Sequence, residues 1–135
     1  MDKIRENLYL GDSSDASWPE LLKKEKITAI LNVAFEINDK ITDPNIKVIK
    51  IGLADDAIKQ NYMIILAVNA LNELMIRGEK VLVHCAVGMS RSPFIVANYI
   101  AMHETKSLES IYEEMKKIRP IVDMNTPLWW GKHNE

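Results

Sequence analysis

The chain has 135 residues, 47% of them apolar and 27% charged, with a net charge near −2. That length suits one folded domain over residues 1–135 with a real core, and the near-neutral balance offers no pull toward nucleic acid or a membrane surface. No apolar run approaches the roughly 18 residues of a membrane span, and the single cysteine, Cys85, excludes an internal disulfide and points to a reducing, cytoplasmic setting.

Met1-Asp2-Lys3-Ile4-Arg5 lacks the pattern of a signal peptide. Asn7 to Leu10 reads as a short edge strand stopped by Gly11. Ser17-Trp18-Pro19-Glu20 has the form of a capping box with proline in the first turn, which predicts a helix to about Lys24. Ile27 to Val33 is β-branched and apolar, an inner strand. Asn32 within it is a buried amide in need of partners or a strand-end group meeting solvent. Glu36 to Asn45 is polar, contains Asp43-Pro44 and reads as a loop. Ile46 to Ile51 is a third strand, apolar enough on each face to be covered on both sides.

A turn follows, Gly52 to Ala57, with adjacent carboxylates at Asp55 and Asp56. Ile64, Val68, Leu71 and Met75 then mark the buried face of a helix from about Asn61 to Arg77, ended by Gly78. Ser107 caps a further helix to about Ile118, which Pro120 stops, and Asn125-Thr126-Pro127 opens a last short helix carrying Leu128, Trp129 and Trp130. One of those two adjacent tryptophans is expected in the core. Met63, Met75, Met102 and Met115 take helical core positions, and His103 and His133 fall on the surface. Arg119 with Lys116 and Lys117 reads first as a solvated helix end and second as an attraction for a phosphorylated partner. Strands alternating with helices predict an α/β layer architecture.

The chemistry concentrates in Lys80 to Pro93. An apolar strand, Val81 to His84, runs into a tight loop that holds Cys85, Gly88 and Arg91 and then opens a buried helix. A strand feeding a loop and a helix N-terminus makes an anion site, because the N–H groups converge there and the helix dipole adds positive potential. Gly88 lets the backbone bend where a side chain would obstruct it. The Arg91 fork matches two phosphoryl oxygens. Cys85 lies at the bottom of this cradle, where the same N–H groups favour the thiolate form, and the Ser92 hydroxyl can donate to the sulfur. His84 precedes the cysteine on the strand, so its side chain points to the opposite face and is structural rather than a base. A thiolate attacking a phosphate monoester also needs an acid outside the loop to protonate the leaving oxygen.

His84-Cys85-x-x-Gly88-x-x-Arg91-Ser92, between a strand and a helix, resembles the signature of the cysteine-dependent protein phosphatases, and its Ser90-Arg91-Ser92 ending resembles the small dual-specificity branch. The resemblance runs from Asn7 to about Leu128, with Leu8-Tyr9-Leu10-Gly11 matching a family stretch. It implies a phosphotyrosine protein phosphatase-like fold: a central sheet of four or five mostly parallel strands, flanked by helices, with the site at the strands' C-terminal ends. It implies Cys85 as nucleophile, Asp55 as general acid with Asp56 its rival, and Ser92 easing departure of the thiolate. It also implies phosphate binding by Ala86, Val87, Gly88, Met89, Ser90 and Arg91, and loop support from His84 and Asn32. No cofactor or metal is expected. The expected partner is a phosphorylated protein, with phosphotyrosine and phosphoserine or phosphothreonine both admitted by a shallow pocket. The uncharged Ala86, Val87 and Met89 do not resemble the lysine-bearing loops of relatives that act on inositol phospholipids. The other readings are an RNA 5′-phosphatase, a rhodanese-like sulfurtransferase and a phosphate-binding module with little turnover.

Overall fold

The computed structural model describes residues 1–54, 61–126 and 129. Asp55, Asp56, Trp130, His133 and most of the expected last helix lie outside them. Ten elements follow in order: β1 (Asp2–Arg5), β2 (Leu8–Gly11), α1 (Ser13–Ala16), α2 (Pro19–Lys24), β3 (Ala29–Ala34), β4 (Lys47–Leu53), α3 (Asn61–Ile76), β5 (Val81–His84), α4 (Arg91–Glu104) and α5 (Leu108–Ile118). The five strands form one sheet in the order β1-β2-β5-β3-β4, parallel except for the antiparallel pair β1 and β2.

The two-residue period of the strands sorts their side chains into two layers. Leu8, Leu10, Leu31, Val33, Val81 and Val83 face α3, α4 and α5, where Leu71, Phe94, Ile95, Ile100 and Met115 complete the larger core. Tyr9, Ile30 and Leu82 face the other way, against Ala16, Leu22 and Ile27. Each fully buried Leu, Ile or Phe among them contributes roughly 1.5–3 kcal/mol. The parallel register pairs Asn32 of β3 with His84 of β5 and Gly11 of β2 with the same His84. The loops that follow these three strands therefore emerge side by side, and the loop after β5 sits between the other two.

The structure departs from the sequence reading at several points. β2 is an inner strand, because Asp2–Arg5 forms an additional strand outside it. That strand turns only Ile4 into the core, and its charged neighbours are the kind of residue that protects a sheet edge. β4 is the opposite edge, with Lys47, Val48 and Lys50 exposed, so it is not covered on both sides. The capping box belongs to Asp12 and Asp15 of α1, whereas Ser17 closes α1 by donating to the Ser13 carbonyl at 2.9 Å. α2 starts at Pro19 as expected, but Trp18 precedes it without a side-chain cap. Met102 is 58% exposed, two residues past Ile100 and on the far side of α4. Ser107 does cap α5, accepting from the Ser110 amide at 3.2 Å, and Gly78 ends the α3 run at φ 76°. Trp129 is buried, edge-on to Phe94 at 4.9 Å.

Candidate active site

β5 ends at His84, α4 begins at Arg91, and the loop between them is defined by where its carbonyls go. His84 Nδ1 lies 3.0 Å from the Cys85 carbonyl. The Ala86 carbonyl accepts from the amide and the hydroxyl of Ser13, at 3.0 and 3.1 Å. Arg119 donates from Nη2 to Val87 and from Nε to Gly88, both at 3.0 Å. The Asp123 amide reaches the Met89 carbonyl at 2.8 Å, and the Ser90 carbonyl accepts from Trp129 Nε1 at 3.2 Å and from the Phe94 amide at 3.0 Å. A trans peptide sets the C=O of one residue and the N–H of the next on opposite sides of a plane. Carbonyls drawn outward from Cys85 to Ser90 therefore turn the amides of Ala86, Val87, Gly88, Met89, Ser90 and Arg91 toward the inside. That is a concave cluster of donors suited to an anion.

Cys85, 2% exposed, stands at the start of this concavity with Sγ 3.2 Å from the Ser92 hydroxyl. A thiolate can only accept, so Ser92 donates when the sulfur is ionised. Gly88 has φ +69°, and a Cβ there would lie 2.6 Å from the Gly11 carbonyl and 2.7 Å from Arg119 Nη2. Gly88→Ala is expected to destabilise the fold by roughly 2–4 kcal/mol through left-handed strain and these clashes. Urea unfolding should show the lowered midpoint.

Arg91 is the other fixed point. Its Nη1 donates to Glu36 Oε1 at 2.7 Å and to the Leu53 carbonyl at 2.9 Å, and its Nη2 donates to Glu36 Oε2 at 2.6 Å. The Arg91 side chain is 4% exposed and that of Glu36 51%. The hydrogen bonds from Arg91 hold the Glu36 carboxyl down at about 2. On the other side of the loop, His84 is fully buried and lies against Asp39, Nε2 to Oδ1 at 2.9 Å, facing away from the concavity.

Two assignments change. Asn32 was expected to support the loop after β5. Its Nδ2 instead donates to the Ile37 carbonyl at 2.7 Å, and its Oδ1 accepts from the Ala34 amide at 2.9 Å, so it organises the loop after β3. Arg119 is no solvated helix end: besides the two loop carbonyls it binds Asp2 at 2.9 Å, while Lys116 turns back to the Pro120 and Val122 carbonyls. Ser13, Glu36, Asp39 and Asp123 had no assigned site role in the sequence, and Arg119 had only that of attracting a phosphorylated partner. The one signal that could have found Glu36 and Asp39 is the strand order, which sets their loop beside Arg91 and His84. Asp55 and Asp56 lie outside the described residues. Among the described residues no group of three or more His, Cys, Asp and Glu could hold a metal ion, and no helix is long and apolar enough to cross a membrane.

Comparison with known proteins agrees with this geometry. The family described as "Dual specificity phosphatase, catalytic domain" matches residues 8–130. Dual specificity protein phosphatase 1 of Arabidopsis thaliana is 32% identical over 123 residues, which cover 90% of this chain and 62% of that protein. Dual specificity protein phosphatase 15 of Mus musculus is 30% identical over 128 residues, 93% of this chain and 53% of that protein. The chain thus spans less than two thirds of either relative. The crystal structure of DUSP15 superposes with a TM-score of 0.88 at 26% identity, covering 99% of this chain and 85% of that one. With the Cys85-to-Arg91 loop inside a match that runs through nearly all of its length, the chain belongs to the dual specificity phosphatase catalytic-domain family.

Proposed function

We propose that residues 1–135 act as one catalytic domain that hydrolyses phosphotyrosine and phosphoserine or phosphothreonine monoesters in proteins, through a phosphocysteine intermediate. The observation that carries this reading is the run of outward-held carbonyls from Cys85 to Ser90. It prepares inward amides for the equatorial phosphoryl oxygens before any substrate arrives, the arrangement that stabilises developing charge at least cost. Arg91 joins them as a charged donor.

In the first step Cys85 Sγ attacks phosphorus, the S–P bond forms and the ester P–O bond breaks. The leaving oxygen takes a proton from Asp55. In the second step Asp55 takes a proton from water, whose oxygen attacks phosphorus. The S–P bond breaks, orthophosphate leaves, and the Ser92 hydroxyl stabilises the returning thiolate. Support for Asp55 over Asp56 comes from the family pattern, in which Ile51 to Asp55 lines up with the segment that carries the acid. A thiolate nucleophile needs a reducing setting, which supports a cytoplasmic location. The family match does not favour the RNA 5′-phosphatase, the sulfurtransferase or the binding module.

Release of phosphate from an aryl phosphate by the native protein, with chelator present, tests the reading, and no release would overturn it. Asp55→Asn should lower kcat on phosphopeptides by roughly 10²–10⁴-fold and far less on esters with good leaving groups. The same pattern from Asp56→Asn instead would move the acid to that residue.

A further inference from the structure

The loop after β3 grips both ends of the cradle. Glu36 binds Arg91 through both carboxylate oxygens, and three residues later Asp39 binds His84, which in turn holds the Cys85 carbonyl. The loop is itself tied to the sheet, since the Ile37 carbonyl accepts from Asn32 Nδ2 and from Lys50 Nζ, each at 2.7 Å, and Lys50 also reaches Asn38 Oδ1 at 2.7 Å. Two carboxylates on one braced loop thus meet the two side chains that begin and end the phosphate loop.

The two contacts have different consequences. A guanidinium presents planar edges, and Glu36 takes the Nη1/Nη2 edge of Arg91. That fixes the rotation of the plane, and with it the direction in which the guanidinium can meet a phosphoryl group. His84 is between two acceptors, the Cys85 carbonyl and the Asp39 carboxylate. The ring is therefore held at both of its nitrogens. A ring pinned in this way fixes the direction of the Cys85 carbonyl and, across the same planar peptide, of the Ala86 amide beside the sulfur.

We propose that Glu36 and Asp39 are positioning residues for the phosphatase reaction, Glu36 aligning Arg91 with the phosphoryl group and Asp39 aligning Cys85 through His84. The inference rests on the phosphatase reading, but its test needs no turnover. Tungstate affinity, measured by calorimetry, reads the oxyanion cradle, and the rate of Cys85 alkylation by iodoacetamide reads the nucleophile. Glu36→Ala should weaken tungstate binding by about 10-fold and leave alkylation within about twofold. Asp39→Ala should do the reverse, slowing alkylation by about 10-fold with tungstate affinity within about threefold. Glu36→Gln and Asp39→Asn, which each keep an acceptor oxygen, should recover most of the loss.

Lys50→Met, at the far side of the loop, should move both readouts by about threefold while the fold is retained, and it serves where an alanine variant fails to fold. The crossed pattern with recovery by the amide variants supports the assignment. Equal movement of both readouts in every Glu36 and Asp39 variant, or no movement in any, overturns it. Absence of phosphate release by the native protein would instead defeat the phosphatase reading, leaving the crossed pattern still readable.

Discussion

Cys85→Ser is expected to release phosphate at least about 10⁴-fold more slowly than the native protein while still binding its substrate. A hydroxyl in place of the thiol is far less acidic, and no base among the described residues is placed to activate it: the described side-chain partner of Sγ is Ser92, and His84 turns to Asp39. Binding should survive because nothing that shapes the cradle depends on the sulfur. The carbonyls of the loop are held by Ser13, His84, Arg119, Asp123 and Trp129, and all of these remain. Calorimetry with a phosphopeptide should give an affinity within a few-fold of the native KM, and phosphate release should fall to background. Turnover retained by the serine variant would remove Cys85 from the chemistry and with it the phosphocysteine. Loss of binding together with turnover would show instead that the sulfur helps to build the loop.

What was legible in the sequence was whatever is local. The loop from Cys85 to Ser90 lies within a few residues of chain between an apolar strand and an apolar helix, so its place in the fold could be read without knowing the strand order. The helical faces of α3 and the Ser107 cap of α5 are equally local. The four- or five-stranded, mostly parallel sheet came from the alternation of elements together with the family resemblance. What failed was judged from too few residues. β1 shows a single inward apolar residue, and β4 shows apolar residues on both faces although its lysines mark an edge. Position within the sheet, rather than the strand's own pattern, decides which of them meet solvent.

The supports of the site were illegible for a different reason. Glu36 and Arg91 are 55 residues apart, Asp39 and His84 45, Ser13 and Ala86 73, and Arg119 and Asp2 117. No local period relates such pairs. The first three pairs meet because β2 and β3 flank β5 in parallel, so that three loops leave the same edge of the sheet together. Polar loop residues such as Glu36 and Asp39 read as solvated until the strand order is known. Asn32 shows the intermediate case: burial was one of the two readings open to it, and its partners belong to the neighbouring loop.

The second large effect expected is that of Arg91→Lys, which should lower kcat/KM by roughly 10²–10³-fold although the charge is kept. An ammonium is a single point with donors on one atom. It cannot reproduce both bonds to Glu36, the bond to the Leu53 carbonyl and a bidentate approach to the phosphoryl group at once. Stability should fall much less, by about 1–3 kcal/mol, and mainly because the Leu53 carbonyl loses a donor in a buried place. The ion pair with Glu36 adds less to that sum, since half of the Glu36 side chain already meets water and lysine keeps the charge. Arg91 holds Glu36 near 2, so its carboxylate is ionised at any assay pH above about 4 and should leave no inflection in the rate profile of the native protein. The lysine variant should therefore lose rate evenly across pH, with urea unfolding confirming a near-native fold. A kcat/KM within tenfold of the native value would mean that charge alone, without the fork, holds the phosphoryl group. A loss confined to one limb of the pH profile would mean that the substitution acts through a titrating group rather than through geometry.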